Sequence, residues 1–350
     1  MALLFMDSFD HYVTADLLGK WTTASNATIS AGTGRRGSAS LHFNAGVSSS
    51  ALRGVAAIGP TAILGFAWKG STFLGGPTRV FGVFDGVINK DHVYAQIGVD
   101  GSIALFRGSA ASNGTNQGGG TILGTTAGGV LAATITAYLE LKIVIHDTAG
   151  IAILRVNGLD VLNLTGIDTS NGGAGVWSAV WWSNSGTTTG VDLDDLYVCD
   201  GNGSAPWNTF LGDVRVDARL PTGSGANSGF TASAGANFSC VDETTPNGDT
   251  DTVTAPTVGL TDTYALQDAP VPGSPILGVQ HCINAKKLDA GNCAIAAVVR
   301  HGGADFVGTD LTPGVGYSYL LTPQAVNPGT GAIWQESDFN AAEFGYRKTL

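Results

Sequence analysis

The chain has 350 residues, of which 13% are charged, 43% are hydrophobic and 51 are glycine, and its formal net charge is −11 at pH 7. This length allows two domains with their own cores, so neither a metal nor a disulfide framework is needed for stability. The negative charge disfavours binding to nucleic acid or to an anionic membrane surface, and the lack of a Gly-X-Y period excludes collagen.

The N-terminal stretch, residues 1–6, is apolar but has no basic residue before it, and Asp7 and Asp10 follow at once. This pattern is not that of a signal peptide. No apolar run reaches the roughly 18 residues of a membrane span. We therefore expect the chain to be made and folded in a cytoplasm.

Alternating apolar and polar residues predict β-strands through the first 200 residues. Asp-Gly or Asn-Gly pairs follow such runs and predict tight hairpins. The pairs are Asp85-Gly86 after residues 80–84, Asp100-Gly101 between residues 93–99 and 103–107, and Asn157-Gly158 between residues 151–156 and 159–164.

Residues 138–146 give the clearest alternation in this part of the chain. Leu139, Leu141, Ile143 and Ile145 share one face, which predicts a buried face. Glu140 lies on the other face beside Lys142, where we expect it to be solvated.

The chain after residue 200 is predicted to be β-rich as well. Residues 213–220 alternate between apolar and charged side chains, which predicts a strand that ends at Pro221. Further strands are predicted at residues 293–300 and 317–321, and Ser337 is predicted to cap a short helix over residues 338–342. The glycine-rich run Gly108–Gly120 is predicted to be a long surface loop.

Short strands with glycine-rich turns indicate an all-β fold of the sandwich or jelly-roll type. The polar, turn-forming stretch at residues 200–208 predicts a domain boundary. We therefore expect a β-sandwich over residues 1–205 and a second β-sandwich or jelly-roll-like domain over residues 206–350.

Four stretches in the first 200 residues carry a family resemblance: residues 5–12 with Lys20-Trp21, residues 99–108, residues 138–158, and residues 194–198. In this order they resemble the concanavalin A-like (laminin-G-like) domains of tailed-bacteriophage virion proteins. Residues 211–216 and 327–334 resemble the C-terminal part that follows such domains. The resemblance implies a structural role in a virion, and it carries no catalytic residue to this chain.

Glycoside hydrolysis requires two carboxylates flanking the bond that is cut. The chain has four glutamates, Glu140, Glu243, Glu336 and Glu343, and none lies in the Glu-x-Asp-x-x-Glu pattern of related glucanases. There is also no Gly-x-Ser-x-Gly elbow, phosphate loop or dinucleotide fingerprint. The adjacent His281 and Cys282 would face apart on a strand and are not expected to form a pair. We therefore predict that the chain is not an enzyme and has no cofactor.

Asp192, Asp194 and Asp195 form the densest acidic cluster and could supply part of a calcium site. The alternative that we favour is that one carboxylate of the Asp194-Asp195 pair accepts turn amides while the other is solvated. Trp181 and Trp182 point to opposite faces of a strand, so at least one is expected in the core. The other would lie in a core or interface, or would be exposed and able to stack on a sugar.

The four cysteines, Cys199, Cys240, Cys282 and Cys293, lack metal-ligand spacing and are too sparse for a disulfide scaffold. We expect reduced, mostly buried thiols, and a bridge between Cys282 and Cys293 stays open if they face each other across a hairpin.

Taken together, these features favour a structural protein of a tailed-phage virion, tail-associated or head-decorating, that binds other virion proteins. We expect the chain to form a homo-oligomer, and we take a trimer as the working hypothesis for its size. The alternative is a receptor- or glycan-binding module that attaches to a host surface glycan.

Overall fold

The structure is a computed structural model that describes residues 3–73, 77–109, 119–185 and 190–350. The chain forms two compact units. The first contains Met1–Asp10 and Trp21–Val216, and the second contains His11–Lys20 and Asp217–Leu350. The first unit thus continues past the predicted boundary at residue 205, and the second takes in a stretch from near the N terminus.

Within the described ranges, fifteen strands precede residue 200, and a 3-10 turn at Arg35–Gly37 lies among them. In chain order the strands are β1 (Leu3–Asp7), β2 (Thr23–Ser25), β3 (Ala27–Ser30), β4 (Ser40–Phe43), β5 (Ser48–Ile58), β6 (Thr61–Gly70), β7 (Thr78–Asp85), β8 (Lys90–Ile97), β9 (Ile103–Ser109), β10 (Thr121–Thr125), β11 (Ala137–Val144), β12 (Gly150–Val156), β13 (Leu159–Ile167), β14 (Trp177–Ser185) and β15 (Val191–Cys199).

These strands form two antiparallel sheets. Sheet A has the order β13-β12-β11-β6-β15-β4-β3, with β1 paired to β15, and sheet B has the order β10-β9-β8-β7-β14-β5-β2. Phe66 of sheet A packs against Phe81 and Trp182 of sheet B, with ring centroids 5.0 and 5.7 Å apart. Since the inner faces meet through large apolar side chains, the first unit is a β-sandwich, and the predicted all-β class is confirmed.

The predicted buried face of β11 is confirmed, since Leu139, Leu141 and Ile143 are fully buried between the sheets. The hairpin between β12 and β13 is also confirmed. Asn157 and Gly158 both have positive φ, 50° and 79°, as a type I′ turn requires. Strands β8 and β9 pair as predicted, with Ile97 opposite Ile103, so this turn is longer than two residues. Most of the predicted loop Gly108–Gly120 lies outside the described residues.

The second unit has nine strands, two short helices, and 3-10 turns at Thr14–Asp16 and Asn237–Cys240. Its elements are α1 (Leu17–Lys20), β16 (Pro221–Ser228), β17 (Thr231–Ala232), β18 (Val253–Thr254), β19 (Thr261–Leu266), β20 (Val279–Ala285), β21 (Ile295–His301), β22 (Ala304–Leu311), β23 (Ser318–Gln324), α2 (Glu336–Ala341) and β24 (Glu343–Lys348).

The second unit is built on one five-stranded sheet with the order β16-β19-β24-β21-β22. A two-stranded ribbon, β20-β23, packs on it, and Ile283 of the ribbon joins Ile295 and Ala297 of the sheet in one buried cluster. Trp334, Phe339 and Phe344 form a second cluster with Val299. The strands predicted at residues 293–300 and 317–321 are confirmed as β21 and β23.

The N-terminal stretch His11–Lys20 belongs to the second unit. The ring centroids of Tyr12 and Tyr319 are 5.9 Å apart, and the Tyr319 hydroxyl donates to the carbonyl oxygen of His11 at 3.3 Å. The Lys20 side chain is buried, with Nζ 3.0 Å from Nε2 of His11. These contacts attach a sequence-distant segment to β23.

Two local predictions are wrong. Residues 213–220 form no strand, and β16 begins at Pro221, where the strand was expected to end. The amide of Val216 is bonded to a side-chain carboxylate, Oδ1 of Asp195, and not to a neighbouring strand. The helix near residue 338 exists as α2, but its N-cap is Gln335 and not Ser337.

Candidate functional site

Glu140 lies on the outer face of sheet A, where it is buried and not solvated as predicted. The Tyr197 hydroxyl donates to its Oε1 at 2.6 Å, and the amide of Gly212 donates to the same oxygen at 2.8 Å. Burial and the nearby Glu140 carboxylate raise the pKa of Tyr197 well above its ordinary value. The Tyr197 phenol therefore stays protonated and acts as a donor.

Gly65 makes this hydrogen bond possible. Glu140 on β11 and Tyr197 on β15 both pair with Gly65 on the intervening strand β6. A Cβ at position 65 would lie 2.1 Å from Cε1 of Tyr197. The tyrosine ring thus lies across the glycine backbone to reach the carboxylate two strands away.

A segment that we call the strap, residues 207–216, covers this part of sheet A. Trp207 and Phe210 are buried. The Arg155 guanidinium lies 4.3 Å from the centre of the Phe210 ring, and Lys142 Nζ donates to the carbonyl of Asn208 at 3.0 Å. The strap explains why Glu140 is buried, because it covers the face that the alternating pattern predicted to be solvated.

The acidic cluster of β15 is internal and bound by arginines. Asp195 Oδ2 accepts from Nη1 of Arg35 at 2.9 Å and of Arg36 at 3.0 Å. Asp194 Oδ2 accepts from the Arg35 amide at 2.7 Å and the Ser38 hydroxyl at 2.8 Å. Both carboxylates are buried. The prediction that one of them accepts amides is confirmed, and the prediction that the other is solvated is wrong.

Burial dominates the protonation of this cluster. It raises the pKa of Asp194 to about 7, with a further contribution from the neighbouring Asp195 charge. Burial also raises the pKa of Asp195, against the lowering effect of Arg35 and Arg36.

Asp192 lies at the edge of this cluster and binds different partners. Its Oδ1 accepts from the Ser40 hydroxyl at 2.8 Å and lies 2.9 Å from Nδ1 of His42. Burial raises the pKa of Asp192, but hydrogen bonds from His42 and Ser40 bring it below its ordinary value. The hydrogen bond to Asp192 raises the pKa of His42.

Both carboxylate oxygens of Asp194 and Asp195, and Oδ1 of Asp192, thus accept hydrogen bonds from protein donors. Among the residues that the structure describes, no group of three or more His, Cys, Asp or Glu side chains is arranged to hold a metal ion. A calcium ion needs six to eight oxygen ligands, so binding one here would require these carboxylates to exchange their protein donors for the ion.

The outer face of sheet B carries a second polar cluster, which sequence reasoning missed. Asp91 is fully buried, and its Oδ1 accepts from Nε1 of Trp181 at 2.7 Å. Nη1 of Arg79, also fully buried, lies 3.8 Å from the other Asp91 oxygen. The Arg79 guanidinium lies 4.0 Å from the centre of the Tyr94 ring. Burial raises the pKa of Asp91 to about 6.

Gly82 has the same role here as Gly65 has in sheet A. Trp181 on β14 and Tyr94 on β8 both pair with Gly82 on the strand between them. A Cβ at position 82 would lie 2.6 Å from Cζ2 of Trp181. The indole lies across the glycine and reaches Asp91. The spacing of these residues in the sequence does not predict this contact, because the contact depends on which strands are neighbours in the sheet.

The two adjacent tryptophans point to opposite faces, as predicted, and both are fully buried. Trp182 packs between the sheets, with its ring centroid 5.7 Å from that of Trp21. Trp181 packs on the outer face of sheet B with Phe84 and Tyr94. The core interpretation of both residues is confirmed, and neither presents a free ring for a ligand.

The remaining candidate acids are bound within the second unit. Glu343 Oε2 accepts from the Thr263 hydroxyl at 2.6 Å and the Ala226 amide at 2.8 Å. Glu336 Oε2 accepts from the Gly273 amide at 2.5 Å. Glu243 Oε1 accepts from the side-chain amide of Asn247 at 3.0 Å.

His281 is buried edge-on against Phe344, with ring centroids 5.3 Å apart. Burial lowers the pKa of His281 to about 4, so the ring is neutral at pH 7. Cys282 lies instead beside the side chain of Gln280, at 3.5 Å from its Nε2.

All four cysteines are free thiols, and Cys199 and Cys240 are buried. Cys282 lies on β20, which pairs with β23, whereas Cys293 precedes β21 in the other sheet. The bridge that the sequence left open does not form, because the two cysteines do not share a hairpin.

No family model and no curated protein matches this chain. Among solved structures, a sialidase is similar over 59% of this chain and 19% of its own, with 11% identity and a TM-score of 0.41. A variant of the alginate lyase Aly36B in complex with alginate tetrasaccharide is similar over 56% of this chain and 96% of its own, with 15% identity and a TM-score of 0.39. The carbohydrate recognition domain of Emp46p is similar over 56% of this chain and 100% of its own, with 11% identity and a TM-score of 0.36.

This chain spans only 19% of the length of the sialidase. Within the part of the chain that is described, no helix is long and apolar enough to cross a membrane.

Proposed function

We propose that this chain is a non-catalytic structural component of a tailed-phage virion, tail-associated or head-decorating, that acts through contacts with other virion proteins. The family resemblance of its first 200 residues motivates this role. The structural observation that supports it is that four buried acidic side chains form hydrogen bonds within the protein. Glu140, Asp91, Asp194 and Asp195 are all buried and all accept hydrogen bonds from the protein.

This arrangement is unfavourable for hydrolysis. A glycosidase needs one carboxyl to give a proton to the leaving oxygen and a second to act on the opposite side of the sugar. Here the acids on the outer face of sheet A are already bonded within the protein. Asp195 accepts from Arg35, and Glu140 accepts from Tyr197 and from Gly212 of the strap. Those contacts stabilise the fold and hold the strap, which is consistent with a scaffold that presents surfaces to neighbours.

The tryptophans weigh against the glycan-binding alternative. All seven are buried, at 4% exposure or less. Stacking on a sugar requires an accessible aromatic face, and tryptophan provides the largest one. A surface glycan, if bound, would have to be recognised by other side chains.

The proposed role is tested by purifying phage particles from cells that carry this gene and quantifying the chain by mass spectrometry. We expect it to co-purify with particles at a fixed ratio to the major capsid protein, and to be a homo-oligomer, a trimer by our proposal, in light scattering. Its absence from particles, while present in the lysate, would exclude the role. A glycan array and a reducing-sugar assay with the purified chain test the alternatives, and a positive result in either would replace our proposal.

A further inference from the structure

Asparagine followed by glycine is the most reactive context for loss of the side-chain amide, because glycine has no Cβ to hinder attack by its own nitrogen. The structure describes four such pairs, and a fifth, Asn113-Gly114, lies outside the described residues. The described pairs begin at Asn157, Asn171, Asn202 and Asn247.

Three of these asparagines are held by hydrogen bonds of their side chains. Oδ1 of Asn157, in the β12–β13 turn, accepts from the amide of Tyr138 on β11 at 2.8 Å. Nδ2 of Asn171 donates to the carbonyl of Asp91 at 3.0 Å. Nδ2 of Asn247 donates to Glu243 at 3.0 Å and to Asp251 at 2.5 Å. Turning any of these side chains toward the next backbone nitrogen requires breaking its bonds.

Asn202 differs from the other three. It is exposed, and its side chain makes no hydrogen bond with any residue that the structure describes. The hydrogen bond that Asn202 does make is from its backbone amide to Oδ1 of Asp200, at 2.9 Å, and this bond does not restrain rotation of the side chain. Gly203, with φ of 95°, provides the nitrogen that would attack.

We propose that Asn202 is a site of spontaneous deamidation, and that it reacts faster than Asn157, Asn171 and Asn247. The Gly203 nitrogen, having lost its proton to solvent, attacks Cγ of Asn202. The bond from Cγ to Nδ2 breaks, and Nδ2 takes up a proton and leaves as ammonia. Water then opens the cyclic imide at either carbonyl, giving aspartate or isoaspartate. The net reaction consumes one water, releases one ammonia and adds one negative charge.

The reaction is independent of the role proposed above, and it is measured on the full chain. The native protein is incubated at mildly alkaline pH, and isoaspartate and aspartate at each Asn-Gly peptide are quantified over time by mass spectrometry. We expect Asn202 to be modified several-fold faster than the other three. An Asn202→Ser variant is expected to lose this product and leave the other three rates unchanged. Equal or slower reaction at Asn202 would overturn the proposal.

Incubation in concentrated urea separates the effect of the fold from that of local sequence. Unfolding removes the bonds that hold Asn157, Asn171 and Asn247, so we expect the four rates to converge. If Asn202 keeps the same lead in urea, the folded structure is not what selects it, and the argument from side-chain restraint is wrong.

Discussion

The phenol ring of Tyr197 lies across the backbone of Gly65 and donates its hydroxyl to Glu140, 2.6 Å away on the far side of that glycine. Trp181 does the same across Gly82 to reach Asp91 at 2.7 Å. Each outer face of the sandwich is therefore held by an aromatic donor, a glycine and a buried carboxylate on three successive strands. A buried carboxylate without such a donor would be costly, so each part of this arrangement contributes to stability.

The substitution Gly65→Ala tests the sheet A arrangement. Its new Cβ would lie 2.1 Å from the Tyr197 ring, which must then move away from Glu140. We expect a loss of about 3 kcal/mol in the free energy of unfolding, from overpacking and the disrupted hydrogen bond. Urea denaturation measures this loss. Gly59→Ala is the matched control, since a Cβ there meets nothing within 4 Å. Equal stability of both variants would contradict the close approach.

The substitution Leu141→Asp tests the inner face of β11. Leu141 is fully buried, so aspartate would place an unpaired charge between the sheets, and we expect no soluble folded protein. Leu159→Asp is the control, because Leu159 is 71% exposed on β13 and should tolerate the same change. Soluble expression and thermal melting distinguish the two. A near-normal melting temperature for Leu141→Asp would mean that the strand assignment is wrong.

Asp91 makes stability depend on pH in a defined direction. Its pKa is raised from 3.8 to about 6 in the folded chain. Between these values the unfolded carboxyl loses its proton while the folded one retains it. The contribution of Asp91 is therefore full below pH ~4 and is lost as the pH rises through ~6, by about 3 kcal/mol in total.

This dependence is measured by urea denaturation from pH 4 to pH 7 in the wild type and in Asp91→Asn. We expect the wild type to lose stability relative to the variant over that range, because only the wild type must ionise a buried carboxyl at position 91. The slope is compared and not the absolute stability, since the substitution also changes the environment of Arg79. Asp268→Asn, at an exposed position, should keep the wild-type slope. An unchanged slope in Asp91→Asn would contradict the assignment.

The cysteines give a prediction about reactivity. All four should react with a thiol reagent in denaturant, because none is in a disulfide. In the folded chain, Cys199 should react slowest, since burial both excludes the reagent and raises the pKa of its thiol. Cys282 and Cys293 are half-buried and should react first. Fewer than four reactive thiols in denaturant, without reductant, would show a disulfide.

The strands and hairpins of the first unit could be predicted from the sequence because they depend on local pattern. The Asn157-Gly158 turn is an example, since its positive φ values at both positions follow from residue type. The outer faces could not be predicted in this way. Glu140 has the sequence context of a solvated residue, and it is buried only because the strap, residues 207–216, covers it from far along the chain.

The wrong strand at residues 213–220 has a related cause. Alternation shows that a segment is able to line a sheet, but it does not show that a partner strand is available. Here the Val216 amide is bonded to Asp195, and the carbonyl of Val214 accepts from Arg35. The buried cluster of Asp91, Arg79 and Trp181 was missed because its members come from three strands whose adjacency is a property of the whole sheet.

The assignment of His11–Lys20 to the second unit has a practical consequence for recombinant work. A gene fragment that starts at residue 206 would encode β16 to β24 without the peptide that contributes Tyr12 and Lys20. Such a fragment would expose the side of β23 where Tyr319 contacts that peptide. Expressing the halves separately would therefore require supplying residues 11–20 in trans or grafting them onto the C-terminal piece.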